Sequence, residues 1–168
     1  MSGKNLVYWD TCIFISWLGN ETRVEAREMY GVADMGTAFD MNQIDVATST
    51  VTITEILEAA SDTSVYTRFR GLLSRRNLLL TDVDRSIAEL ASEIRSFYYI
   101  PNTPSLTVPD CIHLATAIRL ECEKFYTFDG DDHKSNKLLT LPLPIANKYQ
   151  LVIQRPISDN PTQLSLIP

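Results

Sequence analysis

With 168 residues the chain is one ordinary domain, long enough to bury a sizeable core without staples. Its net charge of −6 excludes a broad basic surface for nucleic acid, though not a nuclease whose own carboxylates account for part of that charge. The three cysteines, Cys12, Cys111 and Cys122, are odd in number and lack framework spacing, and no run builds a signal peptide or nears the roughly 18 apolar residues of a membrane span. A soluble protein of the reducing cytoplasm is expected.

In chain order, residues 5–9 read as a first buried strand, and Asp10 opens a short helix that stops at Gly19-Asn20. Residues 20–43 read as a peripheral segment, helical and charged from Glu21 to Met35, then a loop from Gly36 to Gln43. Ile44 to Ser49 is a second strand, followed by a helix to about Ala60 in which Thr52 and Glu55 have capping-box spacing. A helix over 63–76 and a third strand at Leu78-Leu79-Leu80 come next, and Asp84 caps a helix whose apolar face is Ile87, Leu90, Ala91 and Ile94. After a proline-bearing loop, the spacing of Cys111, Leu114, Ala115, Ile118 and Cys122 predicts a helix opening at Asp110. Phe125 to Phe128 is a fourth strand, Tyr149 to Ile153 a fifth, and a proline-containing tail closes the chain. Strands alternating with helices indicate an α/β sandwich on a parallel sheet.

Four carboxylates fall at strand ends or helix openings: Asp10, Glu55, Asp110 and Asp129. In a parallel sheet the carboxyl ends of the strands share one edge, where open α/β folds bind ligands. Each acid alone has a plain structural reading as a cap, favoured by the helix dipole by roughly 0.3–1 kcal/mol. Together they are like charges that need a counter-charge, and an all-oxygen cluster suits a hard divalent cation. His113 and His133 read as packed or surface residues, because Cys111-x-His113 lacks zinc-site spacing. A receiver domain and a haloacid-dehalogenase-type phosphatase fit less well: the first wants an acidic pair after its first strand, and in the second Cys12 stands where a second Asp is needed.

The segments Val7-Tyr8-Trp9-Asp10-Thr11-Cys12, Thr52-Ile53-Thr54-Glu55-Ile56-Leu57, Asp110-Cys111-Ile112-His113-Leu114-Ala115-Thr116-Ala117 and Tyr126-Thr127-Phe128-Asp129-Gly130-Asp131 resemble, in order and spacing, the motifs of PIN-domain nucleases over residues 5–153. The resemblance implies a Rossmann-like three-layer sandwich with a central, mainly parallel sheet of four or five strands. That domain spans 1–154 and is followed by a tail at 155–168. It implies catalysis by Asp10, Glu55, Asp110 and Asp129, with Mg²⁺ or Mn²⁺ held by Asp10, Asp110, Asp129 and Asp131, and Asp132 close by. Thr11, Thr127, Arg75, Arg76 and Lys134 are the candidate substrate contacts.

The expected activity is metal-dependent endoribonuclease hydrolysis of RNA, as in the toxin halves of toxin–antitoxin pairs. Such a toxin would have a small antitoxin as partner and form a homodimer, with no membrane involved. The alternative is a PIN-like nucleic-acid or protein-binding regulatory module with little catalysis.

Overall fold

The middle strand of the sheet is Leu6–Trp9 (β1), which is apolar throughout because both of its faces are covered. Val7 and Trp9 point to one side and Tyr8 to the other, each into a different core. In this computed structural model, which describes residues 5–21, 25–59, 63–101, 106–130 and 137–159, the remaining strands are Asp45–Ser49 (β2), Leu78–Thr81 (β3), Lys124–Tyr126 (β4) and Val152–Gln154 (β5). All pair in parallel, in the order β3-β2-β1-β4-β5.

Helices cover both faces. Thr11–Gly19 (α1), Ala26–Asp40 (α2), Val51–Ala59 (α3) and Thr63–Leu72 (α4) lie with Val7, Trp9, Val46 and Leu78. Arg85–Phe97 (α5) and Val108–Arg119 (α6) lie with Tyr8, Ala47 and Phe125. Among the described residues, no helix is long and apolar enough to cross a membrane. From β1 the chain builds outward through β2 and β3, then returns to β4 on the other side. The reversal therefore falls between β1 and β4, and the crevice at their carboxyl ends is where such sheets bind ligands.

Three boundaries differ from expectation for identifiable reasons. The loop expected over Gly36–Gln43 is helical through Asp40, because Gly36 is a site of close packing: a Cβ there would lie 2.1 Å from Trp17 Nε1. Helix α6 starts at Val108 rather than Asp110, with Thr107 as N-cap and Asp110 closing a capping box at the third helical position. Thr52 is not a cap for Glu55, since α3 begins at Val51 and the Thr52 hydroxyl meets that of Thr48 at 2.8 Å.

After β5, residues 155–159 return onto α2. Glu28, almost fully buried, binds Arg155 at 2.8 Å, and the Ser158 N–H donates to the Arg27 carbonyl at 3.0 Å.

Candidate active site

Asp10 leaves the end of β1 and caps α1, its Oδ1 accepting the Thr11 N–H at 2.8 Å. Its other oxygen accepts the Thr127 hydroxyl, just past β4, at 2.6 Å. The Asp10 N–H in turn bonds the Tyr126 carbonyl at 3.1 Å. The switch-point crevice is thus stitched across its two strands, with the Asp10 carboxylate oriented from both.

Glu55 reaches the same place from the middle of α3. Its Oε2 accepts the Thr11 hydroxyl at 2.5 Å and meets His113 Nε2 at 2.7 Å. Burial would raise its pKa, but the hydrogen bond and charge of His113, with Thr11, outweigh that and hold the carboxyl below its ordinary value. His113 is 1 % exposed, and its Nδ1 lies 2.7 Å from the Tyr8 hydroxyl. Burial lowers its pKa, but the hydrogen bond to Glu55 and the charges of Asp10, Glu55 and Asp110 outweigh it, and the imidazole ends above its ordinary value.

Burial pushes the pKa of Asp110 upward, and the charges of Asp129 and Asp10 add to the rise against the hydrogen bonds of Thr107. The three acids therefore repel one another across the site. Asp129 is held differently: its Oδ1 pairs with Lys137 Nζ at 3.0 Å and its Oδ2 accepts the Leu138 N–H at 3.0 Å.

Among the described residues the tightest candidate cation group is Asp10, Glu55 and His113, one ligand atom from each lying within 4.8 Å of the others. Asp110 stands beside that group and acts on His113 through charge, and Asp129 acts in turn on Asp110. Both hydrogen bonds to Glu55 fall on Oε2, which leaves Oε1 for a ligand. Oxygen donors with uncancelled negative charge fit a hard divalent ion such as Mg²⁺ or Mn²⁺.

The other expected site residues divide. Thr11 and Thr127 are at the site, where their hydroxyls orient Glu55 and Asp10. Arg75 and Arg76 precede β3 and so lie toward the opposite edge of the sheet. The Arg75 guanidinium is committed there to the end of α2, bonding the carbonyls of Phe39 and Asp40 and stacking 5.1 Å from the Phe39 ring centre. Asp131, Asp132, His133 and Lys134 lie outside the described residues.

His113, expected to be a packed or surface residue, is packed, and what the sequence did not show is that it also meets Glu55 at 2.7 Å. The available signal was spacing: Asp110 and His113 are three apart on one helix and so share a face.

The sequence profile of the PIN domain matches residues 7–137. Comparison with curated proteins found no match. Among solved structures, the chain is similar to a toxin–antitoxin complex from Klebsiella pneumoniae, at 26% identity over 77% of this chain and 91% of that one, with a TM-score of 0.52. It is also similar to the Mycobacterium tuberculosis toxin VapC20, described as cleaving the sarcin-ricin loop, at 17% identity over 74% and 91% of the two chains and a TM-score of 0.53. A third likeness is to VapBC2 from Rickettsia felis, bound to a DNA fragment from their promoter, at 13% identity over 89% and 97%, with a TM-score of 0.52. The fold is theirs, and with the family profile covering most of the residues and the acids meeting at the switch point, the chain belongs to the PIN domain family.

Proposed function

We propose that this protein is a divalent-metal-dependent endoribonuclease that hydrolyses RNA phosphodiester bonds and is the toxin of a toxin–antitoxin pair. The observation that carries the reading is the meeting of Asp10, Glu55 and Asp110, from three separate elements, with Asp110 pushed up by burial and by its acidic neighbours. A bound Mg²⁺ or Mn²⁺ supplies positive charge that activates water and stabilises the attacking and leaving oxygens.

The chain's own groups prepare the place for it. Thr11 and Thr127 turn two carboxylates, the Thr107 cap holds a third, and Asp129 fixes Lys137 beside the crevice, where its ammonium can meet a substrate phosphate. The role as a toxin with an antitoxin partner rests on the likeness to the Klebsiella complex, and docking of a small antitoxin at this edge follows from the family resemblance. RNA as substrate and a homodimeric state follow from the family resemblance.

The test is cleavage of transfer RNA, structured RNA and single-stranded DNA in Mn²⁺ and in EDTA, by wild type and Asp110→Asn. The expected result is RNA cleavage that EDTA abolishes and that the variant loses by about two orders of magnitude or more, the scale of removing one preorganised electrostatic contact. Cleavage that persists in EDTA, or in the variant, overturns the metal reading. Its absence in wild type on every substrate favours a binding module.

A further inference from the structure

A four-residue chain of contacts runs from the sheet to Glu55. Phe125 of β4 stacks on Tyr8 of β1 at 4.9 Å between ring centres, the Tyr8 hydroxyl meets His113 Nδ1 at 2.7 Å, and His113 Nε2 meets Glu55 Oε2 at 2.7 Å. Tyr8 is fully buried and His113 nearly so, which leaves neither ring an alternative orientation. Two lone pairs facing each other at 2.7 Å would repel, so a proton lies between Nε2 and Oε2. With that proton on the imidazole, Nε2 has no lone pair left for an ion. In the neutral ring Nδ1 is then an acceptor, and the Tyr8 hydroxyl is the donor it requires.

We infer that His113 is a positioning residue, locked by Tyr8, that with Thr11 occupies one oxygen of Glu55 and turns the other, Oε1, toward the metal. The Thr11 hydroxyl and His113 Nε2 both converge on Oε2, so the carboxylate offers its ligand a single oxygen in one orientation. This differs from the direct-ligand role that the clustering of Asp10, Glu55 and His113 by itself suggests. Outer partners of metal ligands of this kind are typically worth 10–100-fold in metal affinity.

The inference rests on the metal site proposed above, and the experiment separates the two. Wild type, Tyr8→Phe, His113→Leu and His113→Gln are titrated with Mn²⁺ alone and with Ni²⁺ alone by calorimetry, with melting curves in EDTA to establish folding. A positioning role predicts that Tyr8→Phe and His113→Leu weaken both ions by a similar factor, within 10–100-fold for His113→Leu. His113→Gln, whose amide N–H can donate to Glu55, restores most of the affinity.

A direct ligand predicts a much larger loss for Ni²⁺ than for Mn²⁺, because imidazole favours later transition metals. It also predicts that His113→Gln recovers little of the Ni²⁺ affinity, and either result overturns the inference. Wild type that binds Mn²⁺ while the variants match it overturns the inference alone. Wild type that binds neither ion overturns the metal site and the inference together. Should His113→Leu fail to fold, His113→Gln carries the decision: affinity kept for both ions supports the inference, and a loss concentrated on Ni²⁺ overturns it.

Discussion

Asp110 carries two opposed duties. It closes the capping box of α6 with Thr107, which favours the fold, and it lies buried among acids, which raises its pKa and disfavours its ionised form. A carboxyl whose folded pKa exceeds its unfolded one contributes stability below the unfolded value and loses it as pH rises through the folded value. Metal-free wild type should therefore lose stability through this group as pH rises above about 4, the ordinary carboxyl value. Asp110→Asn, whose amide oxygen can still accept the Thr107 N–H, should melt at the same or a higher temperature at neutral pH and show a flatter pH profile. A clear fall in melting temperature at pH 7 would mean that capping outweighs repulsion.

The cysteines behave in the same spirit. Burial pushes Cys111 and Cys122 up to about 12, and burial with the charge of Asp10 raises Cys12 as well. A thiol that stays protonated is a poor nucleophile. Native protein at pH 8 should react slowly with a disulfide reagent, and guanidinium should release all three thiols at once. Fast reaction at one thiol in the native state would contradict the burial. That cysteines here serve packing was legible from their odd number and spacing; that Cys12 touches Asp10 was not, since it depends on β1 and α1 meeting at a turn.

At the scale of elements, α2 and the segment after β5 form one unit. A Cβ at Gly31 would lie 2.3 Å from the Pro156 carbonyl oxygen, which is backbone and cannot swing away. On an isolated helix Gly→Ala gains roughly 0.5–1 kcal/mol; here overpacking should reverse the sign and cost about 1–3 kcal/mol, read as a lower urea midpoint. A stabilised Gly31→Ala would show that 155–159 does not pack there. Arg155→Met leaves Glu28 as a buried carboxylate without its ion partner. Because Arg155 is about a third exposed, its loss should cost toward the low end of ~3–5 kcal/mol.

The helical character of 26–35 was legible from its charged periodicity, whereas 36–40 was not. Glycine reads as a helix breaker until the indole of Trp17 is seen against it. The start of α6 was misplaced for a related reason: Asp110 and Thr107 are both good caps, and only their reciprocal hydrogen bonds distinguish cap from third position.

At the scale of the whole molecule, ion binding and folding are linked. An ion that binds only the native state stabilises it by about 2.7 kcal/mol at a concentration 100-fold above its dissociation constant. For a domain of this size that is a rise of roughly 5–10 °C in melting temperature. Mn²⁺ should produce such a rise in wild type and not in Asp10→Asn, and equal shifts in both would place the ion elsewhere.

By itself the sequence determined the alternation of strands and helices, the fully apolar centre strand and Asp10 at the strand end that opens a helix, because these follow from local periodicity and capping chemistry. Strand order, the convergence of Asp10, Glu55 and Asp110 at the reversal between β1 and β4, and the burial of His113 between Tyr8 and Glu55 were decided only by the tertiary structure. They join residues up to 117 positions apart, and no local rule of propensity or spacing reaches across that distance.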